Sequence, residues 1–259
     1  MSRGAGGESV MERVVRIVEV FRADRPVLGV SEISRITGLH VATVSRHVDA
    51  LVTAGWLRRD EQRRVSPGVR LWEVASRSSA VTGLREAAMP VMEDLRASFP
   101  HHVQLGVRED RDVLFVERLS AARTIASFTR VAGRLPLHAS STGLVLLAFA
   151  PSTVQDAVLD GPLPSFTSRT ITDPAQLRRV LAQVRATGHV VCPGHIATGA
   201  CSVGVPVRAP AGAVVAGLSL VMPDDGTVNR CVPELQAAGL AIGRALHPAG
   251  SPGPGPAPV

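Results

Sequence analysis

Two pairs of arginines, Arg58-Arg59 and Arg63-Arg64, flank the polar turn Asp60-Glu61-Gln62. Guanidinium groups placed this way on a short hairpin suit DNA phosphates or the negative potential of a narrow minor groove. Ahead of them, His40, Val41, Ala42, Thr43, Ser45, Arg46 and His47 open a stretch of helical periodicity. In a helix that enters the major groove, the first residues meet base edges. Arg46 suits a bidentate contact to guanine or a firm hold on phosphate. Thr43 and Ser45 can donate to either, and Val41 and Ala42 offer apolar surface to a thymine methyl. His40 and His47 fit a DNA contact and an ordinary surface position equally well. A solvated hairpin would also carry such arginines, so the surrounding elements must decide.

A second cluster, Cys192-x2-His195-x5-Cys201, has metal-ligand types but not the spacing of a zinc finger, and a site there would have to recruit His138. No metal and no cofactor is expected. No Gly-x-Ser-x-Gly elbow, Gly-x-Gly-x-x-Gly turn or phosphate loop occurs. The acidic pairs Glu93-Asp94, Glu109-Asp110 and Asp224-Asp225 read as helix surface or turns. An enzyme is therefore not expected.

The elements that would position these residues come next. The 259-residue chain allows one large domain or two ordinary ones. It is 45% hydrophobic but only 3% aromatic, without Tyr, so its core must be mostly Val, Leu, Ile and Ala. Net charge is +6 and every cation is Arg. Residues 1–77 hold 13 Arg against 9 acids, and residues 78–259 hold 15 against 13. A basic module on a near-neutral body is implied. Three cysteines make no disulfide framework. No apolar stretch is long enough to span a bilayer, and the Gly-rich Met1–Ser9 does not resemble a signal peptide. A cytoplasmic protein without membrane contact is expected.

Helical spacing over Met11–Phe21, Ser31–Thr37 (capped by Ser31) and Val41–Ala54 is followed by a hairpin over Trp56–Val65. Helix, helix, Gly-containing turn, helix and hairpin is the order of a winged helix-turn-helix. Trp56 is expected in the core beneath the wing. A partly helical segment at Arg70–Gly83 leads to a helix over Leu84–Phe99. Strand-like runs follow at His102–Val107, Val113–Leu119, Thr124–Thr129, Arg134–His138, His189–Cys192, Ser202–Arg208 and Ala213–Met222. Helices are expected at Thr142–Ala150, Pro174–Thr187 and Val228–His247. The fold class is α+β: a winged helix-turn-helix over 10–70, a linker helix over 71–83 and an effector domain over 84–247. Residues 1–9 and 248–259 are expected to be disordered.

From Val10 to His247 the sequence resembles the IclR family of bacterial transcription regulators. The resemblance rests on "RVVRIVEVF", "VSEISRITGLHVATVSRHVDALVTAGWLRRD", "LREAAMPVMEDL", "GRLPLHASSTGLVLLAF" and "TGACSVGVPVRAPAGAVVAGLSLVMP", in that order. It implies a homodimer or dimer of dimers, double-stranded operator DNA as partner, and a GAF-like effector domain, a twisted antiparallel sheet with flanking helices. It also implies a small organic effector, often a carboxylate. By the same match Leu137, Ser141 and Thr142 at the start of a helix, Ser202 and Ser219 on strands, and Cys192 and His195 in a covering loop would form the effector site. There are departures. Where the family's turn usually runs Leu-Pro-Lys-Ser-Thr, this chain has Leu39-His40-Val41-Ala42-Thr43. Leu144 replaces a common Lys, Cys192 a pocket acid of some members, and His195 a frequent Glu.

The expected function is a sequence-specific transcription regulator, a repressor, whose operator binding responds to a small effector. The alternative is a sensor or enzyme whose N-terminal helices serve only dimerisation. A non-specific architectural DNA binder would need a more uniformly basic surface than the C-terminal body offers.

Overall fold

A computed structural model describes residues 8–22, 24–78, 80–120 and 131–246. The expected strand at Thr124–Thr129, residues 1–7 and the tail from 247 lie outside the described residues. The chain divides into two compact units between Thr82 and Gly83.

In the first unit, α1 (Val10–Val18) starts with a reciprocal cap. Ser9 Oγ accepts the Glu12 N–H at 3.1 Å, and Glu12 accepts the Ser9 N–H at 2.6 Å. α2 (Val30–Thr37) is capped from Gly29 rather than Ser31: the Glu32 carboxylate reaches back to the Gly29 N–H at 2.8 Å. Gly38 ends α2 at φ +69°, a left-handed conformation that suits glycine. α3 (Val41–Thr53) follows. Strands β1 (Leu57–Arg59) and β2 (Val65–Pro67) pair antiparallel to make the wing. Ile17, Ile33, Val44, Val48, Leu57 and Val65 bury completely into one small core. One stripe from each helix and one face of the hairpin supply it, as the 3.6 and 2 periods require. Trp56 stays 38% exposed at the edge instead of lying beneath the wing. α4 (Val69–Ser78) follows the wing.

The second unit begins within α5 (Ala80–Ser98) and is built on a six-stranded antiparallel sheet. Its strands are β3 (His102–Glu109), β4 (Asp112–Leu119), β5 (Arg134–Pro136), β6 (Val190–Pro193), β7 (Ala200–Arg208) and β8 (Val214–Pro223). They lie side by side in the order β5-β4-β3-β8-β7-β6. Between β5 and β6 come α6 (Ser141–Ala148), α7 (Ser152–Leu159) and α8 (Pro174–Thr187). A short 3-10 turn at Val228–Cys231 and α9 (Val232–Ala245) close the unit, where the sequence suggested one unbroken helix.

All eight residues of α6 are buried. The helix lies between the sheet and α8, and a helix apolar all round needs such cover. Glycines make the seat. A Cβ on Gly204 would lie 2.8 Å from the Ser141 backbone, and one on Gly217 2.9 Å from Thr142 Cγ2. No side chain fits there. α9 approaches β7 by the same device, with Gly239 against the Pro206 carbonyl and Val205.

Candidate functional site

The first unit presents a groove between three elements. Gly29, Val30 and Ser31 start α2, Val41, Ala42 and Ser45 start α3, and Arg59, Gln62, Arg63 and Arg64 come from the wing. Two helix N-termini, the positive ends of their helix dipoles, therefore border one basic edge, an arrangement that attracts phosphate. His40 caps α3, its Nδ1 accepting the Ala42 N–H at 3.3 Å. Arg46 is exposed on the same helix and makes no ion pair among the described residues. Thr43 is half-buried.

His47 does not share that face. It is 8% exposed, because position 47 falls on the inner stripe with Val44 and Val48. The structure places it against the helical core rather than on the exposed face of α3 where a base edge would be met. The wing arginines also separate. Arg59 binds Asp49 on α3 at 2.9 Å and is largely covered. Arg58 donates to Ser66 across the hairpin at 2.9 Å. Arg64 grips Asp60 at 2.9 Å, closing the turn, while Arg63 sits at its tip with φ +59°. Asp60 is held below the ordinary carboxylate range: the Arg64 backbone and side chain and the Gln62 N–H outweigh its desolvation, which is the largest single influence. Sequence reasoning missed the α2 start and Gln62.

The second unit holds a cavity of about 500 Å³ of atom-free space, counting its open mouth. Ser140, Ser141 and Thr142 form one wall at the start of α6. Cys192, His195, Cys201 and Ser202 form another, and Gln104, Phe115, Leu135, Ile196, Ala197, Ala200 and Val221 complete it. The apolar lining with a few polar groups suits a small organic molecule. None of these described lining residues is Arg, Asp or Glu.

Sheet register explains the grouping. Cys192 pairs with Ser202, and Ser202 with Val221, so three strands deliver one row of side chains. Gln104 stands two pairs along, opposite Ser219. Ser140 caps α6, its Oγ accepting the Gly143 N–H at 3.1 Å. Ser219 lies behind the wall rather than on it, accepting a 2.8 Å hydrogen bond from Thr142. Leu137 is wholly buried in the core with Val113 and Phe115. Both are thus supports of the α6 start, not lining residues. Gln104 and Phe115 were missed. An amide inside an apolar strand run, and one of only six Phe, were signals that pairing alone could interpret.

Electrostatics keep the cavity neutral. Burial pushes the Cys192 thiol up, and burial with Asp224 and Asp225 nearby pushes Cys201 up to about 11. Both stay protonated and poorly reactive. His195 is held below its ordinary value, first by desolvation, then by Arg169 and His138. His138 is lowered chiefly by burial, though its Nε2 donates to the Pro164 carbonyl at 3.0 Å. Among the described residues no three His, Cys, Asp or Glu side chains are grouped to hold a metal ion. No helix of the described residues is long and apolar enough to cross a membrane.

Residues 10–61 match the family model of the IclR helix-turn-helix domain, and residues 77–246 match that of the bacterial transcriptional regulator IclR C-terminal domain. The chain belongs to the IclR family. Among IclR-family relatives it is 28% identical to the HTH-type transcriptional regulator XynR of Escherichia coli, over 91% of this chain and 96% of that one. Two solved structures are similar at higher identity. An IclR homolog from Microbacterium hydrocarbonoxydans, complexed with 4-hydroxybenzoate, is 43% identical with a TM-score of 0.89, covering 92% of this chain and 98% of its own. An IclR homolog from Microbacterium sp. strain HM58-2 is 40% identical with a TM-score of 0.61, covering 92% and 97%. This IclR-family protein is accordingly a helix-turn-helix transcriptional regulator with an α+β effector domain.

Proposed function

We propose that this regulator binds operator DNA through α3 and the wing, and that a small aromatic carboxylate in the α6 cavity controls that binding. The cavity carries the reading. Its floor is apolar, with Phe115, Leu135 and Val221, and its polar end is the start of α6. There Gly143 is capped by Ser140 and Leu144 begins the helical ladder, which leaves the N–H groups of Ser141 and Thr142 for a carboxylate. The 4-hydroxybenzoate bound to the 43%-identical relative has the matching chemistry. Arg46, Val41, Ala42 and Ser45 face the bases, and Arg63 at the wing tip meets phosphate. The regulator is a repressor that acts in the cytoplasm, with no catalytic step.

The protein acts as a homodimer or a dimer of dimers. The support is apolar surface in the first unit: Trp72 is 70% exposed and Val69 64% on α4, and Met11 69% on α1. Exposed apolar patches of this kind mark association surfaces.

The test is anisotropy of labelled DNA from upstream of the protein's own gene, over a salt series, then with 4-hydroxybenzoate added. Site-restricted binding that the acid releases supports the reading. Sequence-blind binding refutes the operator role, and binding indifferent to the acid refutes the effector class.

A further inference from the structure

The loop of residues 194–199 that carries His195 over the cavity is held by more than its own backbone. Hydroxyls on the segment before α8 strap it down. Thr170 Oγ1 donates to the His195 carbonyl at 2.6 Å. The same oxygen accepts the N–H groups of Phe166 and Thr167, both at 3.0 Å. One donor and two lone pairs are all a hydroxyl has, and all are used. Thr170 is only 7% exposed. Thr167 Oγ1 donates to the Gly194 carbonyl at 2.6 Å and accepts the Arg169 N–H at 3.1 Å. Outside this pair, Arg169 binds Asp224 at 3.0 Å, and the Asp224 N–H meets the Gly199 carbonyl at 2.9 Å. Within the loop, the Gly194 N–H reaches the Ala200 carbonyl at 2.7 Å.

The strap serves the ring above it. His195 lines the cavity, and its Nδ1 is buried with no hydrogen-bond partner. A buried polar atom without a partner costs free energy unless an occupant satisfies it. We propose that Thr170, assisted by Thr167, is a positioning residue that fixes His195 so that its unpartnered Nδ1 is presented to the cavity's occupant. The inference rests on the effector reading above. Thr170 touches no occupant itself and acts through His195. The charged and titratable groups that act on the ring are Arg169, paired with Asp224, and His138 ahead of α6, while the thiols Cys192 and Cys201 on β6 and β7 line the same cavity.

The test uses the full-length protein, with Thr170→Val and Thr170→Ser beside wild type. Two quantities are read: the titration of the His195 ring by NMR without ligand, and the affinity for 4-hydroxybenzoate. The ring resonance is assigned by its loss in His195→Gln. In wild type the ring should titrate below the ordinary histidine value of about 6.5. In Thr170→Val the loop loses its tether, water reaches the ring, and the titration should move up toward that value. Affinity for 4-hydroxybenzoate should fall about tenfold, as loss of one well-made buried hydrogen bond implies. Thr170→Ser should restore both, and operator affinity without ligand should stay constant in both Thr170 variants. An unchanged ring titration in a folded Thr170→Val overturns the proposal, whatever the ligand does. If wild type does not bind 4-hydroxybenzoate, the effector class fails instead, and the ring titration still decides the role of Thr170. Should Thr170→Val fail to fold, Thr167→Val takes its place with the same outcomes, because its hydroxyl holds the adjoining carbonyl.

Discussion

At the residue scale, a charge is defined by its neighbours. Arg46 and Arg59 read alike in the sequence, but Arg46 is exposed without an ion pair and Arg59 is bound to Asp49. Arg46→Ala should therefore weaken operator binding by about 1–3 kcal/mol if it reads a base, or lower the salt slope by about one if it holds a phosphate. A filter-binding salt series separates the two. Arg59→Ala removes a partly exposed ion pair, worth about 0–1 kcal/mol. A small drop in the thermal midpoint is expected, read by calorimetry, with Asp49 then left to repel the DNA. The histidines make a second prediction. His101, His138 and His195 are all held below their ordinary value, with burial the main cause in each. As pH falls through about 6.5, the unfolded chain takes up protons before the folded one does. Stability should fall with acidification from that point and level off above it, and midpoints measured by circular dichroism from pH 5 to 8 will show whether it does.

At the element scale, α6 is the piece on which the cavity depends. Its apolar run was plain in the sequence, and its buried position follows from having no polar face. What brings it close enough to present Ser140, Ser141 and Thr142 is the pair of glycines beneath it. Gly204→Ala would force a Cβ against the Ser141 backbone, a contact with no flexible end to yield. A loss of about 1–3 kcal/mol is expected from such overpacking, measurable by urea unfolding. Weaker effector binding should accompany it. Gly212, with nothing near its Cβ position but φ +89°, serves as a contrast. Substitution there should strain the β7–β8 turn locally without disturbing the cavity. α7 was not foreseen, because Ser152–Leu159 carries only a short and mixed apolar pattern.

At the scale of the whole molecule, exposed apolar residues remain on the first unit after its own core is complete. Trp72 and Val69 are the largest of them on α4. Trp72→Glu should shift the protein toward monomer in sedimentation. It should weaken operator binding as well, because two half-sites bound by one dimer are lost. Sedimentation of the variant as the same oligomer would place the interface elsewhere.

The sequence by itself determined the two-part organisation, the helix-turn-helix with its wing, and the family. The first two depend on local rules, apolar periodicity, caps and glycine at turns, all written in neighbouring residues, and the family on a resemblance carried by several segments in order. It also singled out Ser141, Thr142, Cys192, His195 and Ser202, and the structure collects them around one cavity. Tertiary structure alone decided which residues face that cavity. Ser219 lies behind Thr142 and Leu137 lies in the core, while Gln104 and Phe115 arrive on strands β3 and β4 from far along the chain. The same holds for His47, turned inward by a single step of helical phase, and for Thr170, whose partner lies 25 residues away. Register, helical phase and close approach are set by pairing between distant segments, and no local pattern encodes them.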